Sequence, residues 1–407
     1  MGRFDRSGRG SCVYVVALLA LGCQDPVQLQ SGAAFVPSSP VPVVSVRGGE
    51  ALVAWHRSGD KVYVTSALEG SSSWSTPSAI ADGQKPEVAL STSGAAFVVY
   101  ENAGKTAAVV RKSGAWGPPA TLRDDVSSFL AVAADGSGNA LALFSKQGVR
   151  ARVYKAGSGW QSTHKLDDAE GVVKVAMNEA GRGVAAWCGN GDHLYAAAYE
   201  PASGWGTPEH TASADCCKNY ADVISPGVSV AIAESGDAYA IGAGTTGVCL
   251  LRRAAGSASW VHGLLSSTSG VSGPQVSAST DGHALVAWLQ DTSGGRKLKA
   301  RHYDPATGWT ATMTGPSGLG AGPIGAGYGS SGCAALVFRG GNLALQYVGY
   351  CTTDTTLRPA VDITPGGSLA NAPYFIRSSG NPLEPAQGVT VWQQGGHEDI
   401  WSARTGI

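Results

Sequence analysis

Short stretches of alternating apolar and polar residues, closed by Gly, Asp, Asn or Pro, fill this chain from about residue 42 to its end. One segment recurs among them. A glycine is followed two residues later by Ala or Gly and six residues later by an aromatic, with apolar residues between. The clearest copies run Gly49 to Trp55, Gly94 to Tyr100, Gly138 to Phe144 and Gly282 to Trp288. Gly181 to Trp187 and Gly332 to Phe338 keep the frame, Gly236 to Gly242 lacks the aromatic, and Ala386 to Trp392 lacks the leading glycine. The anchor positions 55, 100, 144, 187, 242, 288, 338 and 392 return roughly every 43–55 residues, the spacing of four-stranded propeller blades.

The sixth unit shows the grammar of one blade. Gln275 to Ser279 alternates as a strand, Thr280-Asp281-Gly282 turns, and Ala284 to Trp288 is a buried strand. After a loop at Asp291, residues Leu298 to Tyr303 alternate again, Asp304-Pro305 turns, and Gly308-Trp309 opens a fourth strand. Period-two alternation between such turns predicts antiparallel hairpins. Trp74, Trp116, Trp160, Trp205 and Trp260 open the fourth strands of units one to five. No segment carries a sustained helical period, so the chain is expected to be all-β, a β-propeller of four-stranded antiparallel blades. Eight blades are expected, with seven the alternative. The eighth unit stops after its third strand, and a strand drawn from residues 27–37 supplies its missing edge.

Composition agrees with short strands and tight turns, since charged residues make up 14% of the chain and Gly numbers 57. A formal net charge of −1 provides no long-range field for nucleic acid or anionic lipid. At the amino terminus, Arg3, Arg6 and Arg9 precede an apolar run from Val13 to Leu21 that ends in Gly22-Cys23. Such a segment reads as an export signal, too short to span a bilayer. Leu18-Leu-Ala-Leu-Gly-Cys23 resembles a bacterial lipoprotein signal, which implies acylation of Cys23; ordinary secretion is the alternative. The expected organisation is a signal over 1–22, a lipid-anchored tether over 23–40, and the propeller over 41–407. The expected location is the bacterial envelope, at the outer membrane or cell surface.

Setting aside Cys12 and Cys23 leaves six cysteines, an even number in an oxidising compartment. Cys333 and Cys351 sit at the two ends of one predicted hairpin, which makes them a disulfide pair. Cys188 is expected to reach Cys216 or Cys217, with Cys249 taking the other. Metal-type Cys spacing is absent, and neither a metal nor a cofactor is expected. The interval between anchors 187 and 242 is the longest, and its extra length falls around Ala214 to Tyr220. That connection is expected to be a functional or specificity loop braced by cystine, with a tolerated insertion pinned against proteolysis as the alternative; shortening 212–221 is expected to leave β content and melting largely intact while abolishing ligand capture.

Candidate chemistry lies on the loops between second and third strands. His56, Asp60, Glu101, Asp192, His193, Asp291, Arg296, Arg339, His397 and Glu398 are placed together on one face, around the axial mouth. The turns Tyr303-Asp-Pro-Ala-Thr-Gly-Trp309 and Tyr199-Glu-Pro-Ala-Ser-Gly-Trp205 resemble degenerate Asp-box turns of sialidase-type propellers, and the repeat length also resembles seven-bladed bacterial lectins. The sialidase resemblance implies three arginines gripping a carboxylate, for which Arg57, Arg296 and Arg339 are available. It also implies a Tyr/Glu pair, which no motif here supplies. Two-carboxylate glycoside hydrolysis has Asp60, Glu101, Asp192 and Asp291 as candidates by loop position; no catalytic set is assigned. The repeated tryptophans suit packing between blades better than sugar stacking. The preferred function is a monomeric, membrane-tethered binding or scaffold module for a glycan or protein ligand, in contact with the membrane through its anchor alone. An exported glycan-processing enzyme, a glycoside hydrolase, is the alternative.

Overall fold

The computed structural model describes residues 27–30 and 42–406, except 58, 69–70, 72, 218–226, 321, 323, 330–331, 342–343, 364–375, 381–386 and 395–398; for 27–30 and beyond 375 the backbone alone is described. The signal segment, Cys23, His397 and Glu398 lie outside the described residues. Among the described residues there are eight antiparallel sheets of four or five strands. Their innermost strands are Val43–Arg47, Gln84–Leu90, Phe129–Ala134, Val173–Met177, Val228–Ile232, Val271–Ala278, Gly325–Tyr328 and Ile376–Gly380. Each packs on the next, and the eighth packs on the first. The result is an eight-bladed propeller closed around one axis. Closure comes from the amino-terminal side: Val27–Gln30 pairs antiparallel with Asp399–Gly406, Val27 opposite Ser402, as the outer strand of blade 8.

Two local rules build each blade. The first is the turn between first and second strands. In blade 2, Gly94 N–H donates to Ser91 O at 3.0 Å, and Gly94 has φ +82°. A Cβ at Gly94 would meet no atom within 4 Å. The left-handed backbone, rather than lack of room, is therefore what calls for glycine there. The second rule is the aromatic anchor. Trp55, Tyr100, Phe144, Trp187, Trp288 and Phe338 are all fully buried. Apart from Trp55, whose described neighbours belong to its own blade, they pack between sheets: Trp288 joins Tyr239 and Ile241 of blade 5, and Phe338 joins Leu285 and Leu289 of blade 6. Large aromatic area removed from water is what holds one blade to the next.

The fourth-strand tryptophans behave differently from the sequence expectation. Trp116, Trp160, Trp205 and Trp309 sit in two-residue strands that pair with the third strand, and the outer strand resumes later, at Ala120–Arg123, His164–Asp167, Glu209–His210 and Met313–Ser317. In blade 2 the interruption contains Pro118 and Pro119, which have no N–H to give the ladder. Each of these indoles leans on the residue that pairs with it, as Tyr154 does on Trp160 at 5.2 Å and Tyr303 on Trp309 at 5.1 Å. In blade 7 Cys333 stands directly opposite Cys351, and the two form a disulfide.

Candidate functional site

The loops between second and third strands carry most of the sequence-predicted residues, and most of those described hold a partner in their own blade. His56 is buried, with Nε2 3.4 Å from the carboxylate of exposed Asp60. Burial pushes the His56 pKa down, and Asp60 partly offsets that. Buried Glu101 accepts a hydrogen bond from Lys85 Nζ at 2.9 Å. Arg296 grips Asp291 through Nε at 2.7 Å and an Nη at 3.2 Å. The Arg339 carbonyl accepts Gly320 N–H at 3.1 Å. The pairs His56–Asp60, Lys85–Glu101 and Asp291–Arg296 therefore belong to blades 1, 2 and 6 separately.

Blade 4 is where predicted residues do gather. Its second strand, Gly183–Cys188, ends in a disulfide to Cys217, and Cys216 is bonded to Cys249 in the third strand of blade 5, Gly247–Arg253. This resolves the two pairings left open above. All four sulfurs are buried in one apolar cluster with Leu194, Val228 and Trp260. Loops of 29 and 33 residues closed this way remove roughly 3–4 kcal/mol each of unfolded-chain entropy. The expectation that 212–221 is dispensable for stability is thereby overturned. Cys216 and Cys217 are core residues, because their segment fills blade 5. Position 242, aromatic in the seven other blades, is glycine here because a Cβ would lie 2.4 Å from Cys216 O; at Gly244 it would lie 1.7 Å from Asp215 O.

Beside this knot stands a group that sequence reasoning only half found. Asp192 closes a 3-10 turn, Asn190–Asp192, and its carbonyl accepts Cys217 N–H at 2.9 Å. His193 follows. Tyr195, in the third strand, stacks on Trp187 at 5.7 Å and lies in register with His210 of the outer strand. The Tyr195 ring covers Gly189, where a Cβ would lie 2.4 Å from it. His193 and His210 both point Nδ1 at the carbonyl of Thr211, at 2.7 and 2.9 Å. Tyr195 and His193 are half-buried and His210 is exposed. Neither Tyr195 nor His210 lies on a loop tip, which is why a search of loops passed over them.

A second gathering lies on the axis, at the opposite face. The inner strands of blades 1 to 7 line a cavity of about 280 Å³, walled largely by Val46, Ala89, Ala133, Ala176, Ala231 and Ala326. Arg47 crosses its mouth. Its guanidinium reaches the Glu179 carboxylate and the Ala134 carbonyl, lies 3.4 Å from Met177 O, and stands 3.8 Å from Glu234. Thr92 Oγ1 donates to the other Glu179 oxygen at 2.6 Å, and Glu179 N–H donates to Glu234 at 2.8 Å. Burial raises the Glu234 pKa, against the backbone donor and Arg47, which lower it. Arg47 can do this because blade 1 turns through Gly48-Gly49 alone, with Arg47 paired to Glu50. A two-residue loop needs left-handed residues, and Gly48 and Gly49 have φ +59° and +72°. The Gly-Gly pair was the sequence signal for this departure. Turns from five blades meet here, and both axial carboxylates are engaged in joining them.

Trp55, Trp187 and Trp288 are sealed from solvent, so none of these three presents a face to a sugar ring, whereas Trp74, Trp116, Trp160, Trp205 and Trp309 are half-buried. No protein-family model matches the sequence, and no curated protein matches it. Among solved structures, the chain is similar to the BP39L lectin from Burkholderia pseudomallei at 14% identity, over 78% of this chain and 96% of the lectin, with a TM-score of 0.55. It is also similar to a protein from Lactobacillus plantarum (12% identity, 78% and 97% covered, TM-score 0.48) and to YCF48 bound to a D1 peptide (14%, 94% and 96%, 0.44). The likeness to the lectin supports the propeller fold.

Proposed function

We propose that this chain is a monomeric binding module for a glycan or protein ligand at the bacterial envelope, tethered there through an acylated Cys23. The observation that carries this reading is the blade 4 corner: a cystine-pinned connection, with Tyr195, His193 and His210 partly open beside it. A rigid scaffold that holds a long connection in place is the usual base of a recognition surface. The axial carboxylates Glu179 and Glu234 are engaged with Arg47 and the neighbouring turns, which favours binding over acid–base chemistry as their use. One propeller of similar fold is a lectin. The Asp304 carboxylate accepts Ala306 N–H at 2.7 Å within the Tyr303–Trp309 turn, in keeping with the Asp-box resemblance.

The anchor would also orient the ring. Three residues separate Cys23 from Val27, so an acylated Cys23 would hold the rim of blade 8 within roughly 14 Å of the bilayer, at about 3.5 Å per residue. The test has two arms. Cys23→Ser should move the protein from the membrane to the soluble fraction, and an unchanged distribution rejects the anchor. That soluble variant is then screened on a glycan array and against fluorogenic glycosides. Capture that Tyr195→Ala reduces by at least about tenfold, the cost of losing one good contact, supports the binding reading. Turnover of any glycoside would replace it with the hydrolase.

A further inference from the structure

The third strand of blade 6, Lys297–Asp304, carries Lys297, Lys299 and Arg301 at alternate positions. Alternation puts all three on one face of the sheet, about 7 Å apart in a row about 13 Å long. Their ladder partners are Gln290, Trp288 and Val286, and the last two pack against blade 5. The row therefore runs down the seam between the rims of blades 5 and 6. All three cations are half-buried, and among the described residues no carboxylate pairs with any of them. Asp291, before the strand, is held by Arg296, and Asp304, at its end, accepts Ala306 N–H at 2.7 Å. Arg301 Nε donates to Thr310 O at 2.8 Å, an Nη donates to Leu265 O of blade 5 at 3.3 Å, and the guanidinium lies over Trp309 at 6.0 Å. Burial pushes the Arg301 pKa down and no carboxylate counters it, yet a guanidinium stays charged at any ordinary pH.

We infer that Lys297, Lys299 and Arg301 form a binding row for a linear acidic polysaccharide, whose charged groups lie along the seam between blades 5 and 6. The blade fold does not ask for charge at these places. Lys299 faces the aromatic anchor across the ladder, and the residues that do so in blades 1, 2, 4, 5 and 7 face position 55, 100, 187, 242 or 338 as Tyr63, Ala107, Tyr195, Cys249 and Gln346. Two residues further on, where blade 6 has Arg301, the same strands have Thr65, Val109, Ala197, Leu251 and Val348. Blade 3 repeats the charge with Arg150 and Arg152, but its outer strand ends in Asp167 and is followed by Asp168. Blade 6 has no such answer: its outer strand, Met313–Ser317, carries no acid.

The walls of the seam set the class of ligand. Residues 254–280, which supply the outer strand of blade 5 and the passage into blade 6, contain no Asp, Glu, Lys or Arg. An anion at the row therefore meets attraction from one strand and no like charge from either wall. Exposed Thr314 and Ser317 stand opposite Lys299 and Lys297 in the ladder and offer hydroxyls to a sugar. Lys299 Nζ already donates to Thr314 Oγ1 at 2.6 Å. A single row along a seam suits one extended chain rather than a flat membrane surface. Single-stranded nucleic acid draws on aromatic platforms for its bases, and the ring beside the row, Trp309, lies under Arg301. With a net charge of −1 the protein has no long-range pull on polyanions, so affinity comes from contact at the row. The row uses no residue of the blade 4 corner and stands if that corner binds nothing.

The test titrates the full chain, carrying Cys23→Ser, at low ionic strength with polygalacturonate, neutral dextran, oligo(dT) and phosphatidylglycerol vesicles. Polygalacturonate should bind and dextran should not, and the binding should weaken as added salt screens the charges. Lys297→Gln/Lys299→Gln should weaken it by about fivefold for each cation removed. Lys61→Gln/Lys165→Gln takes the same charge from exposed lysines of blades 1 and 3 and should leave binding unchanged. Tyr195→Ala, which probes the blade 4 corner, should leave it unchanged as well. A second variant, Lys297→Glu, keeps Lys299 and Arg301 in place and should weaken binding further than Lys297→Gln, with the melting temperature of the parent. No binding of polygalacturonate by the parent, equal binding by the parent and Lys297→Gln/Lys299→Gln, or tighter binding of oligo(dT) or of the vesicles would overturn the assignment.

Discussion

His302, on the third strand of blade 6, lies almost wholly buried with its imidazole stacked on His283 at 5.1 Å. His302 Nε2 is 3.1 Å from His283 Nδ1, so one of these two nitrogens donates and the other accepts. Tyr350 of blade 7 closes the other side at 5.1 Å, and Asp281 stands 3.6 Å from His283. Burial first, and then His283, push the His302 pKa down to about 4, while Asp304 and Asp281 pull weakly the other way. The fold therefore favours neutral His302 and the unfolded chain does not. Its contribution to stability is complete above pH 6.5 and is lost as pH falls from there through 4, a change of about 3 kcal/mol. Buried His56 has the same sign, whereas Glu234, raised by burial, has the opposite one. Urea unfolding should show lower stability at pH 5 than at pH 7, with a shallower loss in His302→Gln. Identical slopes for the two proteins would reject this account.

At the scale of strands and turns, two glycines separate two different demands. Gly94 requires a left-handed backbone and has open space around it; Gly244 has ordinary φ and no room at all. Gly94→Ala should cost about 1–2 kcal/mol, the strain of one left-handed alanine. Gly244→Ala should cost more than about 3 kcal/mol, because its Cβ meets a backbone oxygen of a segment tied down by two disulfides. Chemical denaturation of both variants checks the order, and equal losses would mean that residues 215–217 do not fill blade 5. The same packing explains why the recurring aromatic fails at position 242: strand and connection share the space that one ring fills in other blades.

For the whole molecule, the decisive contact joins the ends of the chain. Among the described residues, only Val27–Gln30 covers the outer edge of Asp399–Gly406, and only blade 8 links blade 7 back to blade 1. Blades that lean on their neighbours lose cooperativity when a terminal unit is left uncapped. Replacing 27–30 with a Gly/Ser stretch of equal length should lower the melting temperature and direct limited proteolysis to residues 376–406. A variant that melts and is cleaved like the parent would show that the ring does not depend on this strand.

The repeated glycine, the aromatic anchor and the period-two alternation were enough to specify an all-β propeller, its blade frame and the Cys333–Cys351 pair. These features are local, or lie one hairpin apart, so a linear pattern contains them. The Cys188–Cys217 and Cys216–Cys249 pairings were legible only as alternatives, since neighbouring cysteines reach similar places and the choice depends on how the connection crosses blade 5. Arg47 reaching Glu179 and Glu234 lay beyond the pattern altogether, because those residues are far apart in the chain and meet only once the ring has closed. His210 was overlooked for the same reason: its nearness to His193 follows from strand register around one buried carbonyl. Sequence set what each blade is; tertiary closure decided which side chains from different blades or strands share a site, because side-chain proximity across a ring is a property of its geometry.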